Sequence, residues 1–153
     1  MSRSSRPAHR PLPALGRACA AAVLLVYPLA AGVLLLSSDG WAINRANVRV
    51  WWIVTGIFGV RSLVSPEMFA NLANVLLFVP FFGALALLVP RWWWLLLGIA
   101  GSVSVELYQS TLPSREASVV DVVTNTLGTA LGVALGIAIR RRLDRRSADD
   151  AVG

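Results

Sequence analysis

Ala18 to Leu36 is a run of 19 residues without one charged side chain. At 1.5 Å per residue, such a helix covers about 28 Å, close to the roughly 30 Å hydrocarbon core of a bilayer. A secretory signal peptide has a shorter apolar region, about 7–15 residues. Three further apolar stretches follow, at Met68–Val89, Trp92–Leu112 and Val119–Ile139. Hydrophobic residues make up 56% of the 153, charged residues 14%, and the mean hydropathy is +0.66. A soluble domain carries about 25% charge. These numbers exclude an ordinary water-soluble enzyme and a disordered chain alike.

The predicted architecture is all-α: a polytopic membrane protein with spans at about 18–36, 68–89, 92–112 and 119–139. Residues 1–17, rich in Pro and Arg, form a basic cytoplasmic tail, and residues 140–153 an Arg-rich polar tail. Pro28 is expected to kink the first helix. Pro90-Arg91 and Pro113-Ser114-Arg115-Glu116 read as tight turns. Residues 37–67 form the longest connection, and Val50–Val60 in its middle, at eleven residues, is too short to cross. With Trp51 and Trp52 suited to the membrane interface, that segment predicts a short interfacial helix in the first outer loop. The Trp92–Trp94 triplet reads as a second interfacial anchor.

The net charge of +6 and the pI near 11.2 would suggest nucleic acid in a soluble protein. Here all 14 basic residues are Arg and they cluster at the chain ends, so membrane topology explains them and no nucleic-acid partner is expected. With four spans, ten arginines fall on the side of the two termini and four (Arg45, Arg49, Arg61 and Arg115) on the other. The positive-inside rule then puts a multi-pass protein in the cell membrane with both termini cytoplasmic. Cys19, in the first span, reads as a small buried hydrophobe. His9 reads as a solvated tail residue.

In this topology the membrane polar residues share one depth range. Asn71, Gln109 and Asp121 fall roughly 3–5 Å below the outer boundary, and Asn74, Glu106 and Asn125 roughly 9 Å below it. Asn71/Asn74 and Glu106/Gln109 are i,i+3 pairs, and Asp121/Asn125 an i,i+4 pair, so each pair shares a helix face. Charge within the bilayer is costly and faces protein or water. Arg115, on the outer turn, is placed to partner Glu106 or Asp121. The seven residues Asn71, Asn74, Glu106, Gln109, Arg115, Asp121 and Asn125 are the candidate ligand-binding set. Interhelical hydrogen bonding is the alternative role for the amides. Below them, Gly128, Gly132 and Gly136 continue one face, and Gly98 and Ser102 another, as small residues that let helices approach. Phe78 and Phe82 are expected to fill the groove they leave.

The run from Asn71 through Asn74, Phe78 and Pro80 to Gly83 resembles the core of VanZ-like membrane proteins. So do Glu106-Leu-Tyr-Gln109, then Pro113 and Arg115, then Asp121 through Asn125 to Gly128. The resemblance covers about residues 68–136. Two departures are Ser118, where members often carry an acid, and a Phe of unusual identity between Pro80 and Gly83. The resemblance implies a small protein of the bacterial cell envelope, in a family named for a member linked to low-level resistance to teicoplanin. The expected function is non-enzymatic: binding of a lipid headgroup, a cell-wall precursor or a lipoglycopeptide at the outer polar cluster. An intramembrane acid/base enzyme acting on a lipid-linked substrate, with Glu106 or Asp121 as the acid or base, is one alternative. A small transporter is another. The sequence holds no Ser-His-Asp set, no His/Cys metal cluster and no phosphate-cradling loop, so neither cofactor nor metal is expected.

Overall fold

The structure, a computed structural model, describes residue 12 and residues 14–115 and 117–149, the last three by backbone only. Most of the basic N-terminal segment, with His9, lies outside the described residues, as do Glu116 and residues 150–153.

The described residues form five helices and no strand: α1 (Ala14–Leu36), α2 (Gly40–Ile57), α3 (Pro66–Leu88), α4 (Trp94–Gln109) and α5 (Val119–Asp149). Three are long and apolar enough to cross a membrane, namely α1, α3 and residues 119–146 of α5. The third apolar stretch folds as a helix of only 16 residues, about 24 Å long. Its first two Trp stay outside the helix. Trp92 and Trp93 are exposed, whereas Trp94 turns inward, donates its indole N–H to the Val89 carbonyl at 2.8 Å and packs on the core.

The first connection differs most from expectation. In place of a short helix over 50–60, an 18-residue helix starts at Gly40. Asp39 nucleates it, its carboxylate accepting the Ala42 N–H at 2.8 Å, and this cap adds residues 40–49 to the apolar segment. Beyond α2 the chain turns through Gly59, whose φ of +67° suits a residue without Cβ. Arg61 then stacks 3.4 Å over the Trp52 ring, and Trp51 donates to the Val64 carbonyl at 2.8 Å. Ser65 caps α3 by accepting the Met68 N–H, with Pro66 in the first turn, where its missing N–H costs nothing.

The C-terminal polar tail begins as helix. α5 continues ten residues past Ile139, with Arg140 paired to Asp144 one turn on at 3.1 Å. Cys19 is exposed on α1, not buried. It shares that surface with Leu25, Leu29 and Val33, each more than two-thirds exposed. Side chains of this kind facing outward are compatible with lipid as the solvent.

α3 against α5 is the most extensive helix pair. Gly128, Gly132 and Gly136 are buried and face the α3 main chain. A Cβ at Gly132 would lie 2.6 Å from the Val79 carbonyl oxygen, and at Gly128 and Gly136 it would press on the Val75 and Gly83 carbonyls. The α3 backbone itself therefore fills the ridge. The Phe78 and Phe82 side chains pack there too, their Cβ atoms 3.0 and 3.2 Å from where a Cβ at Gly128 and Gly132 would sit, and their rings, stacked at 6.1 Å, line the cleft toward α1 and α4. Phe82, Ala86, Val133 and Ile137 form the buried core. α4 packs on α5, with Gly98 against the Thr129 side chain, and α1 packs on α3.

Candidate ligand site at one end of the bundle

The C-termini of α1 and α4 meet the N-termini of α3 and α5 at one end of the bundle, and the polar residues collect there. Gly98, Ser102, Glu106 and Gln109 are the buried residues of α4, a single face at helical spacing. Each of the last three takes a partner on another helix or its approach. The Asn125 amide donates to the Ser102 hydroxyl at 3.0 Å and joins α5 to α4. Gln109 donates to the Leu35 carbonyl at 2.7 Å and joins α4 to α1. The Ser118 N–H donates to Glu106 Oε2 at 2.7 Å. Glu106 thus places its negative charge at the start of α5, where the free N–H groups and the helix dipole favour an anion.

Asn74 joins α3 to α5, its amide donating to Asp121 Oδ1 at 3.0 Å. Asp121 sits in the first turn of α5, held by a cap in which the Ser118 hydroxyl accepts the Asp121 N–H at 3.2 Å. The Ser-x-x-Asp spacing of 118–121 is the capping signature that could have found it. Asn71 is not brought into the set. It is half-buried and makes no side-chain hydrogen bond to the described residues.

Its place on the outer turn predicts a carboxylate partner for Arg115. Its guanidinium instead donates to the Leu34 carbonyl at 3.1 Å and the Ser37 carbonyl at 3.5 Å, and it forms no ion pair within 4 Å among the described residues. The last carbonyls of a helix lack intrahelical partners, and α1 ends without a glycine cap. Arg115, Gln109 and Tyr108 supply donors to three successive ones, Leu34, Leu35 and Leu36. Arg115 also places positive charge at the negative end of the α1 dipole. The Ser114 hydroxyl completes the staple, donating to the Ser38 carbonyl at 2.7 Å and accepting the Gly40 N–H at 3.0 Å. The charge of Arg115 still acts on both carboxylates from this position, and the charge of Asp121 acts on Glu106.

Four polar atoms of these side chains are left over among the described residues, one of them Arg115 Nε, which is buried without a partner. Glu106 Oε1 and Asp121 Oδ2 accept no hydrogen bond from the described residues, and neither is sealed from the surface. Asn125 Oδ1 is fully buried and unpartnered. Directly below this layer lies an apolar cleft of about 290 Å³ between α1, α3 and α4, lined among others by Ala31, Leu35, Phe78, Gly101 and Val105.

No curated protein and no solved structure matches the chain. The family model described as VanZ/LLP1 matches residues 18–140, which takes in the four polar helix ends and the glycine ridge. With most of its length matched, the chain belongs to the VanZ/LLP1 family.

Proposed function

We propose that this protein is a non-enzymatic receptor of the cell membrane that holds an amine-bearing headgroup of an envelope amphiphile at the Glu106/Asp121 end of the bundle. The observation that carries the reading is the pair of carboxylate oxygens left without donors among the described residues, Glu106 Oε1 and Asp121 Oδ2. Two carboxylates share the field of one arginine, whose Nη2 donates to α1 carbonyls and whose buried Nε has no partner among the described residues, so it gives neither carboxylate a hydrogen bond. The surplus is negative, and an ammonium supplies donors and charge together. A cluster built only to glue helices would gain more from amides, which avoid the cost of burying an ion.

The receptor crosses the bilayer four times, both termini cytoplasmic, with the polar end outward and α2 lying at the outer interface. α4 runs beside α5 from Glu106–Ser118 through Ser102–Asn125 to Gly98–Thr129, so a crossing by α5 carries α4 with it. The ten-to-four distribution of arginines supports this orientation. Capture of amphiphiles at the outer leaflet is also the form in which a contribution to teicoplanin resistance fits the geometry.

The test is complementation. In a strain lacking the native protein, teicoplanin susceptibility is compared for wild type, Glu106→Gln and Asp121→Asn, with membrane levels checked by immunoblot. The variants are expected at normal levels without protection. Full protection by both would refute the charge-based site.

A further inference from the structure

We infer that the cleft between α1, α3 and α4 seats the hydrocarbon chain of the same lipid whose amine headgroup meets Glu106 and Asp121, so that the protein takes one membrane phospholipid head and tail together. This deepens the headgroup reading above and rests on it.

α1 leans on α3 and α4 leans on α5, while α1 and α4 touch little, so a cleft opens between them with Phe78 and Phe82 as its back wall. Its volume of about 290 Å³ lies at the lower end of the ligand-pocket range. A second helix, about 10 Å across, does not enter such a space. The hydroxyl of Tyr27, in the lining, already donates to the Leu77 carbonyl at 2.6 Å, and the rest of the lining is almost wholly apolar. An apolar cleft of this kind, open at the surface, is filled by hydrocarbon within a bilayer.

The cleft is continuous with the polar end. On α4, Val105 precedes Glu106 and lies one turn below Gln109. On α3, Phe78 lies one turn below Asn74, the residue that holds Asp121. Leu35 lines the top of the cleft through its side chain and binds Gln109 through its carbonyl. A molecule with an ammonium at the carboxylates therefore has its apolar continuation directly above the cleft. The negative surplus selects a zwitterionic amine phospholipid over an anionic one.

The side chain missing at Gly101 makes the test possible. A Cβ there meets nothing within 4 Å, so a larger residue projects into open space without disturbing a helix contact. Native mass spectrometry of the purified full chain would follow lysophosphatidylethanolamine with a palmitoyl chain, beside glycerophosphoethanolamine, which has none. Wild type is expected to retain the acylated probe in preference to the chainless one. Gly101→Phe and Ala31→Phe are expected to weaken retention about tenfold or more, several buried methylenes being displaced. Leu25→Phe, on the exposed face of α1, is expected to leave retention unchanged. Asp121→Asn is expected to weaken retention of both probes. If Gly101→Phe and Ala31→Phe retain the acylated probe like wild type, the cleft assignment is wrong even where Asp121→Asn weakens it. If the cleft variants lose it and Asp121→Asn does not, the chain site stands and the headgroup reading falls. Should Gly101→Phe fail to fold, Ala31→Phe, at the α1 wall, decides.

Discussion

Asn74 of α3 and Asp121 of α5, 47 residues apart in the chain, meet through an amide-to-carboxylate hydrogen bond of 3.0 Å at the open end of the most extensive helix pair. Below them the same two helices touch main chain to main chain along the glycine ridge. Position and polarity are thus set together: the ridge fixes the spacing, and the spacing brings the amide to one carboxylate oxygen while leaving the other unclaimed.

The first prediction concerns this pair. Asn74→Leu and Asp121→Leu are each expected to destabilise the protein in detergent, and the double variant by less than their sum. The coupling should be about 1 kcal/mol, within the range of interhelical hydrogen bonds in membranes. Thermal unfolding of the four proteins measures it, and strict additivity would show that the bond contributes nothing.

The ridge gives a second. Gly132→Leu places a branched side chain where even a Cβ lies 2.6 Å from the Val79 oxygen. Overpacking of this kind costs about 1–3 kcal/mol, and membrane accumulation should fall accordingly. Leu135→Ile, at a residue 52% exposed on another face, should accumulate normally. Immunoblots of membrane fractions distinguish the two, and equal levels would contradict the contact.

Arg115 gives a third. Its Nη2 is the donor to Leu34 and Ser37, so Arg115→Gln should leave the end of α1 under-satisfied. Limited proteolysis at residues 37–39 should be faster in Arg115→Gln than in wild type. Arg115→Lys, which keeps the charge without the fork, should fall between them. Unchanged cleavage in Arg115→Gln would return Arg115 to the carboxylates.

The proposed orientation gives a fourth. Reporter fusions after Arg91 and after Arg145 should read cytoplasmic, and a fusion at Ser114 external. A cytoplasmic signal at Ser114 would turn the polar end inward and remove the outer-leaflet site.

Residue type and spacing carried much of this site. Glu106 and Gln109 at i,i+3, continued by Ser102 and Gly98, mark one face by sequence alone, and that face is the buried one. Asp121 and Asn125 mark α5 in the same way, although they serve two neighbours, Asp121 joining α3 and Asn125 joining α4. What stayed hidden runs through the main chain. Arg115, Gln109 and Ser114 bind carbonyls of Leu34, Leu35 and Ser38, and a carbonyl is present at every position, so no residue type announces it. A carboxylate is the visible partner for an arginine, and the frayed end of α1 outcompetes it. α2 was hidden differently: its first ten residues mix Asn, Arg and apolar side chains, and only the Asp39 cap draws them into the helix. Asn71 shows the converse, since a polar residue one turn before Asn74 and on the same face still makes no side-chain hydrogen bond to the described residues.

Glu106 Oε1 and Asp121 Oδ2, which accept no hydrogen bond from the described residues, are proposed to select an amine. Purified wild type offered equal amounts of phosphatidylethanolamine and phosphatidylglycerol with matched chains tests it directly, the retained lipid being read by native mass spectrometry. Wild type is expected to prefer the amine lipid about tenfold, the scale of one charge-assisted hydrogen bond, and the Glu106→Gln, Asp121→Asn double variant to lose that preference. Equal retention by wild type, or a preference that survives the double substitution, would contradict it.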